Sequence, residues 1–229
     1  CIRDRLGAGR AKKRDVARRG RQLDEVARAG LPVPEGAILL DELFRIFLHE
    51  GIVELVREKV FIPDPIWLLE VLYRDVRFPQ LQAMADLSLI PADAFKGLLP
   101  SEAVAHGVDL QDADQLAAAL SKVWSFSADE EEFRRDVAIV TCVQGAIAGR
   151  VRSLPERAED IVEILTPAGE GAIKLPRLSR WNRPSPELAP YARRLQMLLR
   201  GLRRTLSDEK TLDFSWLDDG QVCWITRFN

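Results

Sequence analysis

Residues 212–228 read Leu212-Asp213-Phe214-Ser215-Trp216-Leu217, then Asp218-Asp219-Gly220, then Gln221-Val222-Cys223-Trp224-Ile225-Thr226-Arg227-Phe228. They carry the clearest fold signal in the sequence. Apolar and polar residues alternate in both runs, as they do in half-buried strands. The Asp-Gly pair favours the positive backbone angles of a tight hairpin turn. The sequence therefore predicts a C-terminal β-hairpin and, with it, an antiparallel sheet.

An amphipathic helix precedes the hairpin. From Glu187 or Pro190 to Leu206, leucines and Tyr191 recur at the helical period and leave the arginines mostly on the other face. The proline-, arginine- and serine-rich stretch from Pro176 to Pro190 predicts an extended loop. The apolar runs Val137–Val143 and Asp160–Leu165 predict two further strands, and Arg150-Val151-Arg152 is interpreted as the return partner of the first.

The first half of the sequence predicts mainly helices. The spacing of apolar residues predicts a helix from about Ala11 to Ala29, followed by a short strand over Ala37–Leu40. Asp41 is expected to cap a helix that runs to Leu48. The stretch from Ile52 to Trp124 favours several short helices separated by prolines. We therefore expect an α+β protein with a helical first half and a small, mainly antiparallel sheet.

Two regions are expected within one compact unit: a helical N-terminal region, residues 1–124, and a strand-rich C-terminal region, residues 125–229. The 229 residues are 47% hydrophobic and 30% charged, which is ordinary for a soluble globular protein. No apolar run reaches the roughly 20 residues of a membrane span, so we expect no membrane partner and a cytoplasmic location by default.

Several classes of functional site have no signal in the sequence. Cys1, Cys142 and Cys223 are odd in number and widely spaced, which indicates neither a disulfide framework nor a zinc site. His49 and His106 are isolated and are interpreted as surface or packing residues. There is no glycine-rich Walker loop, nucleophile elbow or metal-binding histidine pair. Gly7-Ala8-Gly9 alone is a weak signal for a phosphate loop.

Both ends of the chain carry a family resemblance. Arg19-Gly20-Arg21-Gln22-Leu23, followed by Ala29-Gly30-Leu31-Pro32-Val33-Pro34-Glu35-Gly36, resembles the opening of the nucleotide-binding domain of the phosphoenolpyruvate synthase and pyruvate phosphate dikinase family. The helix and hairpin at the C-terminus are similar to the closing segment of that domain. Val123–Glu130 and Val137–Gly149 resemble two of its interior segments. The resemblance implies a divergent and shortened relative with a reduced ATP-grasp-like fold.

The same resemblance implies ATP and Mg²⁺ as cofactors and names the residues near them. Arg19 stands at the position of a family lysine and could replace it as a phosphate contact. Ser125 lies beside Trp124, which occupies the position of a phosphate-binding arginine. Asp213 is the remaining acid for the metal, because Ser215 replaces the family's glutamate and a hydroxyl is a poor ligand for a hard cation.

The family also has a glutamine at the end of the second hairpin strand. Which residue of this chain occupies that position depends on the register of the hairpin. With a two-residue turn, Ser215 faces Trp224 and shares a face with Thr226, which then occupies that position. With a three-residue loop, Arg227 shares that face instead.

Three functions follow as hypotheses. The first is a nucleotide-binding domain, which would be an ATP-dependent phosphotransferase if it were active. The alternative is a non-catalytic interaction or regulatory module that binds an acidic protein partner through the arginine face of the 187–206 helix; glutamate at Arg194 and Arg204 should then abolish binding and leave the fold intact. The third, nucleic-acid binding by the basic N-terminal helix, is disfavoured by an isoelectric point of about 5.9.

Overall fold

The computed structural model describes residues 3–11, 16–74, 84–93, 99–126, 134–166, 168–207 and 211–229. Its contacts group the chain into two units, residues 1–21 with 35–142 and residues 22–34 with 143–229. The expected division into regions 1–124 and 125–229 stays a prediction. Among the described residues, no helix is long and apolar enough to cross a membrane.

The first unit contains a five-stranded antiparallel sheet of order β1-β2-β7-β5-β6. These strands are β1 (Arg3–Arg5), β2 (Gly36–Leu39), β5 (Ala85–Ile90), β6 (Val104–Val108) and β7 (Asp136–Thr141). A separate ribbon pairs β3 (Glu54–Val56) with β4 (Lys59–Phe61). The described part of this unit holds the α-helices α2 (Asp41–His49), α3 (Pro65–Arg74) and α4 (Ala113–Ser125) and a short 3₁₀ helix, Ser101–Ala103.

The core of the first unit is built from α2, α3, α4 and the inner residues of its sheet. Trp124 is completely buried there, packs edge-on against Phe44 at 5.2 Å between ring centroids, and donates its indole N–H to the carbonyl of Arg135 at 3.1 Å. Burying large aromatic side chains makes one of the largest contributions to core stability. Trp124 is therefore a core residue with its polar atom satisfied.

The second unit contains the other five-stranded antiparallel sheet, of order β10-β9-β8-β11-β12. Its strands are β8 (Ile147–Ser153), β9 (Glu159–Thr166), β10 (Gly169–Pro176), β11 (Leu212–Asp218) and β12 (Cys223–Phe228). α5 (Pro190–Thr205) covers one face with buried leucines, and Tyr191 stacks on Trp216 at 6.0 Å. The remaining helix, α1 (Arg18–Arg28), contributes residues to both units.

The α+β class with antiparallel sheets is confirmed, as are the C-terminal hairpin and the amphipathic helix α5. β2, β7 and β9 match the strands predicted near residues 37, 137 and 160. Residues 177–189 form neither helix nor strand in the structure, as the loop prediction required. The start of the predicted 11–29 helix falls on residues 12–15, which lie outside the described residues; the observed helix begins at Arg18.

Three local predictions are wrong. Asp41 does not cap α2: it is the first helical residue, is buried, and pairs with Arg45 at 2.6 Å. β8 is not the return partner of β7, because it lies in the other sheet between β9 and β11. The 52–124 stretch contains β3 to β6 as well as helices. Short strands interrupted by turns lack the long periodic signal that identifies a helix.

Candidate functional site

The sheet of the second unit has two unlike faces, because side chains alternate along each strand. One face lies under α5 and carries the buried residues Phe214, Trp216 and Asp218. The opposite face, called the far face here, carries half-buried side chains. On β8, β11 and β12, the strand registers place on it Ala148, Arg150, Arg152, Asp213, Ser215, Leu217, Trp224 and Arg227. Arg152, opposite Asp213, is exposed, and so is Glu163 on β9, opposite Arg150. The polar members of this set form the candidate site.

Arg150 and Asp213 form the central pair of the far face. The Nε atom of Arg150 donates to Oδ1 of Asp213 at 2.7 Å, and its Nη2 atom donates to Oδ2. The side chains are 24% and 19% exposed, so the pair is shielded but accessible. The pKa of Arg150 is raised mainly by its hydrogen bonds to Asp213. The negative charge of Glu163, which lies opposite Arg150 on β9, raises the pKa of Arg150 further. Arg150 is therefore a cation with a fixed orientation.

Asn229 connects this pair to the end of the hairpin. Its side-chain amide donates to Asp213 Oδ1 at 3.1 Å and to Ser215 Oγ at 3.3 Å. Its carbonyl oxygen accepts from the Nε atom of Arg227 at 3.3 Å. The far face thus brings together two arginines, one aspartate and two neutral polar groups in one hydrogen-bonded network, which restricts their rotamers.

The hairpin register differs from both alternatives derived from the sequence. β11 ends at Asp218, which pairs with Cys223, so four residues, 219–222, form the turn. A bulge between Ser215 and Trp216 then aligns Ser215 with Arg227, and Thr226 has no partner in the register with β11. Ser215 does not face Trp224, as a two-residue turn required. Arg227 shares the face of Ser215, as a three-residue loop predicted, although the loop itself is longer.

The other two predicted binding residues belong to the first unit. Arg19 lies half-buried in the first turn of α1. Ser125 is the last residue of α4, and its hydroxyl accepts a hydrogen bond from the backbone N–H of Val60 at 2.8 Å, which joins α4 to β4. That bond gives Ser125 a structural role. Asp213 and Thr226 are the two predicted residues that lie together in the second unit.

The far face does not fit a protein-held Mg²⁺ ion. Both carboxylate oxygens of Asp213 are occupied by Arg150, and Ser215 and Thr226 offer neutral hydroxyls to a hard cation. Within the described ranges, no group of three or more histidine, cysteine, aspartate or glutamate residues could hold a metal ion. Asp213, predicted as the metal ligand, is bound to Arg150 through both oxygens, and its role at a metal ion stays a prediction.

An apolar patch adjoins the polar network on the same face. Leu217 pairs with Ala148 on β8 and with Trp224 on β12, and all three side chains are half-buried. Trp224 is fixed by its indole N–H, which donates to Asp219 Oδ2 at 2.7 Å. Because Leu217 is two residues from Ser215, the patch lies about 7 Å along the strand from the polar network.

Sequence reasoning missed Arg150 and Asn229 as members of this site. The pair of Arg150 with Asp213 joins residues 63 positions apart, and it depends on a strand neighbour that the sequence did not indicate. The alternation Arg150-Val151-Arg152 was the available signal, since it predicts two arginines on one face of a strand. Asn229, the last residue, gave no signal.

The sequence matches no protein-family model and no curated protein. Among solved structures, it is similar to VanG D-Ala:D-Ser ligase from Enterococcus faecalis, with a TM-score of 0.49, 12% identity, and coverage of 92% of this chain and 51% of that one. It is also similar to an ATP complex of carboxyaminoimidazole ribonucleotide synthase from Aspergillus clavatus, with a TM-score of 0.45, 12% identity and coverage of 93% and 44%.

A third similar structure is the ATP-grasp ligase PsnB in complex with precursor peptide PsnA2 and AMPPNP, with a TM-score of 0.40, 11% identity, and coverage of 98% of this chain and 52% of that one. The chain spans about half the length of each of these proteins. Such likenesses concern the fold and carry no information about the substrate or activity of this chain. The expected relationship to phosphoenolpyruvate synthase and pyruvate phosphate dikinase stays a prediction.

Proposed function

We propose that this chain is a nucleotide-binding domain that takes ATP on the far face of its second sheet. The observation that carries the proposal is Arg150, which Asp213 holds in a bidentate pair beside Arg227, next to an apolar patch on the same face. A nucleotide has the matching polarity, with an anionic phosphate chain at one end and a flat base at the other. The sequence resemblance at both ends of the chain supports the same ligand class.

Arg150 is suited to phosphate because its guanidinium is oriented before the ligand arrives. Two of its five N–H donors point to Asp213, and the others remain for phosphate oxygens. Fixing an arginine in advance reduces the rotamer entropy that binding would otherwise cost. Leu217 and Trp224 supply the apolar surface that a base would cover.

The proposal covers binding and assigns no phosphoryl transfer. That reaction depends on cations placed at the transferred phosphate, commonly Mg²⁺ ions held by carboxylates. The two acids beside Arg150, Asp213 and Glu163, lie next to a positive charge that competes with a metal ion. We therefore infer that the arginines neutralise the phosphates and that any Mg²⁺ would arrive bound to the nucleotide.

The test is the thermal unfolding midpoint measured with and without ATP, each with and without Mg²⁺. A ligand that binds only the folded state stabilises it, by about 2.7 kcal/mol at one hundred times its dissociation constant. We expect a saturable rise in both conditions, and a smaller rise in both for Arg150→Met. No rise for the unaltered protein at millimolar ATP would contradict the proposal.

Two variants separate the site from general effects of charge. Asp213→Asn should weaken the ATP response equally with and without Mg²⁺, because it removes the group that orients Arg150. A loss confined to the Mg²⁺ condition would show instead that Asp213 is a metal ligand. Arg157→Met is the matched control, since Arg157 is exposed in the turn between β8 and β9, away from the far face.

A second candidate function is a non-catalytic interaction module that keeps the scaffold. The observation that favours it is an arginine-lined groove between α5 and the segment 180–184. This candidate predicts partner binding without ATP or Mg²⁺, and the groove can be tested separately.

A further inference from the structure

A groove of about 950 Å³ runs along the outer side of α5 in the second unit. Its walls are α5 and the segment 180–184, and residues 31–32 and 221–223 complete the lining. The volume lies at the upper end of the range of ligand clefts. A second cavity, of about 670 Å³, shares Arg180, Trp181 and Arg200 with it and extends toward Arg204. We call the two together the arginine groove.

The outer stripe of α5 gives the groove its chemistry. Arg193, Met197, Arg200 and Arg204 follow one another at intervals of four, three and four residues, which places them on one helix face. Met197 is 45% exposed. Arg180 and Arg183 project from the opposite wall, and among the described residues no acidic side chain lines either cavity. The groove is therefore strongly cationic with an apolar strip along it.

The arginines of the groove have different roles. Arg194 is bound to buried Asp218, and Arg200 donates to the backbone carbonyl of Asn182 at 3.0 Å, which holds the 180–184 wall against α5. In contrast, no acidic group or hydrogen-bond acceptor within the described ranges engages the side chains of Arg180, Arg183 or Arg193. These three cations are available to a partner.

Trp181 adds an exposed aromatic side chain to the groove. Its side chain is 83% exposed, and the guanidinium of Arg180 lies over its ring at 4.9 Å from the centroid. Tryptophan and arginine are among the residue types most enriched at binding hot spots. Pro184 stiffens the segment that presents the tryptophan.

We propose that the arginine groove binds an acidic peptide segment of a partner protein, with carboxylates on Arg183 and Arg193 and an apolar side chain against Trp181 and Met197. Arginine pairs with carboxylates in a bidentate manner, and complementary charge fixes the register of the bound segment. Nucleic acid is the competing occupant, because bases also stack on tryptophan. The chain's formal net charge of −2 favours a short acidic peptide over a long polyanion.

The experiment measures fluorescence anisotropy of a labelled peptide in which glutamates flank one phenylalanine, added to the full chain. We expect saturable binding, weakened at least about tenfold by Arg183→Glu with Arg193→Glu, and weakened by Trp181→Ala without a change of charge. Arg157→Glu, which makes the same charge change at an exposed residue outside the groove, should bind as the unaltered chain does.

Three results would overturn the proposal: no binding of the acidic peptide, equal weakening by Arg157→Glu, or tighter binding of a labelled oligothymidylate that the groove variants abolish. The last would identify a nucleic-acid surface instead. Thermal unfolding of each variant verifies that it is folded. The ATP response of the groove variants should match that of the unaltered chain, so failure here is distinguishable from failure of the proposed nucleotide site.

Discussion

Replacing Arg194 with methionine should destabilise the second unit strongly, because Arg194 is the partner of a buried carboxylate. Its Nε and Nη2 atoms donate to the two oxygens of Asp218 at 2.7 and 2.6 Å. The side chain of Asp218 is 2% exposed and that of Arg194 is 28% exposed. Without Arg194, Asp218 retains the backbone N–H of Gly220, at 3.0 Å, as the one remaining donor in the described structure.

The magnitude follows from the burial of the acid. Removing one member of a buried ion pair costs about 3–5 kcal/mol, since it leaves an uncompensated charge. Because Arg194 is partly exposed, water can reach the vacated position, and we expect the lower end, about 3 kcal/mol. Adding Asp218→Asn to Arg194→Met removes the buried charge and should restore a large part of the lost free energy of unfolding.

Urea unfolding, followed by tryptophan fluorescence and circular dichroism, measures the free energy of unfolding for the single and double variants. A loss below about 1 kcal/mol for Arg194→Met would contradict this prediction, because exposed ion pairs contribute no more than that. The pair of Arg194 with Asp218 also changes the expectation that glutamate at Arg194 would leave the fold intact. Glutamate at Arg194 would face Asp218 across a buried site, so lost partner binding in that variant would report damage to the fold.

The remaining predictions concern close packing and pH. Gly149→Ala should destabilise the protein by about 3 kcal/mol in urea unfolding, because a Cβ atom there would lie 1.9 Å from the carbonyl oxygen of Glu163; Gly171→Ala, with nothing within 4 Å, is the matched control and should be nearly neutral. Burial raises the pKa of Asp136 above its ordinary value of 3.8, despite the opposing effects of the Asp41 N–H and of Arg134. The folded state then holds this proton more tightly, so the stability of the unaltered protein relative to Asp136→Asn should fall as pH rises above 3.8; a constant or rising difference would contradict this.

The sequence was sufficient for elements whose pattern is long and regular. α5 repeats its leucines over four turns, and the C-terminal hairpin combines alternation with an Asp-Gly turn. The ribbon of β3 and β4 was missed because its strands have three residues each and its turn uses Arg57 and Glu58, with φ of 49° and 66°, where glycine or asparagine would have given a signal.

Only part of the candidate site could be predicted, because the sequence pattern indicates which face of a strand a residue is on but not which strand lies beside it. Alternation placed Asp213 and Ser215 on one face of β11, and that placement holds. The partner of Asp213 depends on which strand lies beside β11, and a single strand's pattern does not encode its neighbour. The four-residue turn and the bulge then decide that Arg227, and not Thr226, aligns with Ser215. Local backbone irregularities of this kind leave little trace in residue types.

The arginines of the second unit explain why a basic stretch cannot be interpreted from its composition. Arg177 and Arg203 both pair with Asp160, which is 1% exposed, and Arg194 pairs with Asp218. These cations neutralise acids in the interior of the unit. Arg193, next to Arg194 in the chain, lines the arginine groove as Arg194 does, but no acidic group in the described residues pairs with it. Two consecutive residues of α5 thus differ in role: Arg194 neutralises a buried acid, and Arg193 is the one to which we assign partner binding. A substitution therefore tests partner binding only where no buried acid depends on the residue replaced.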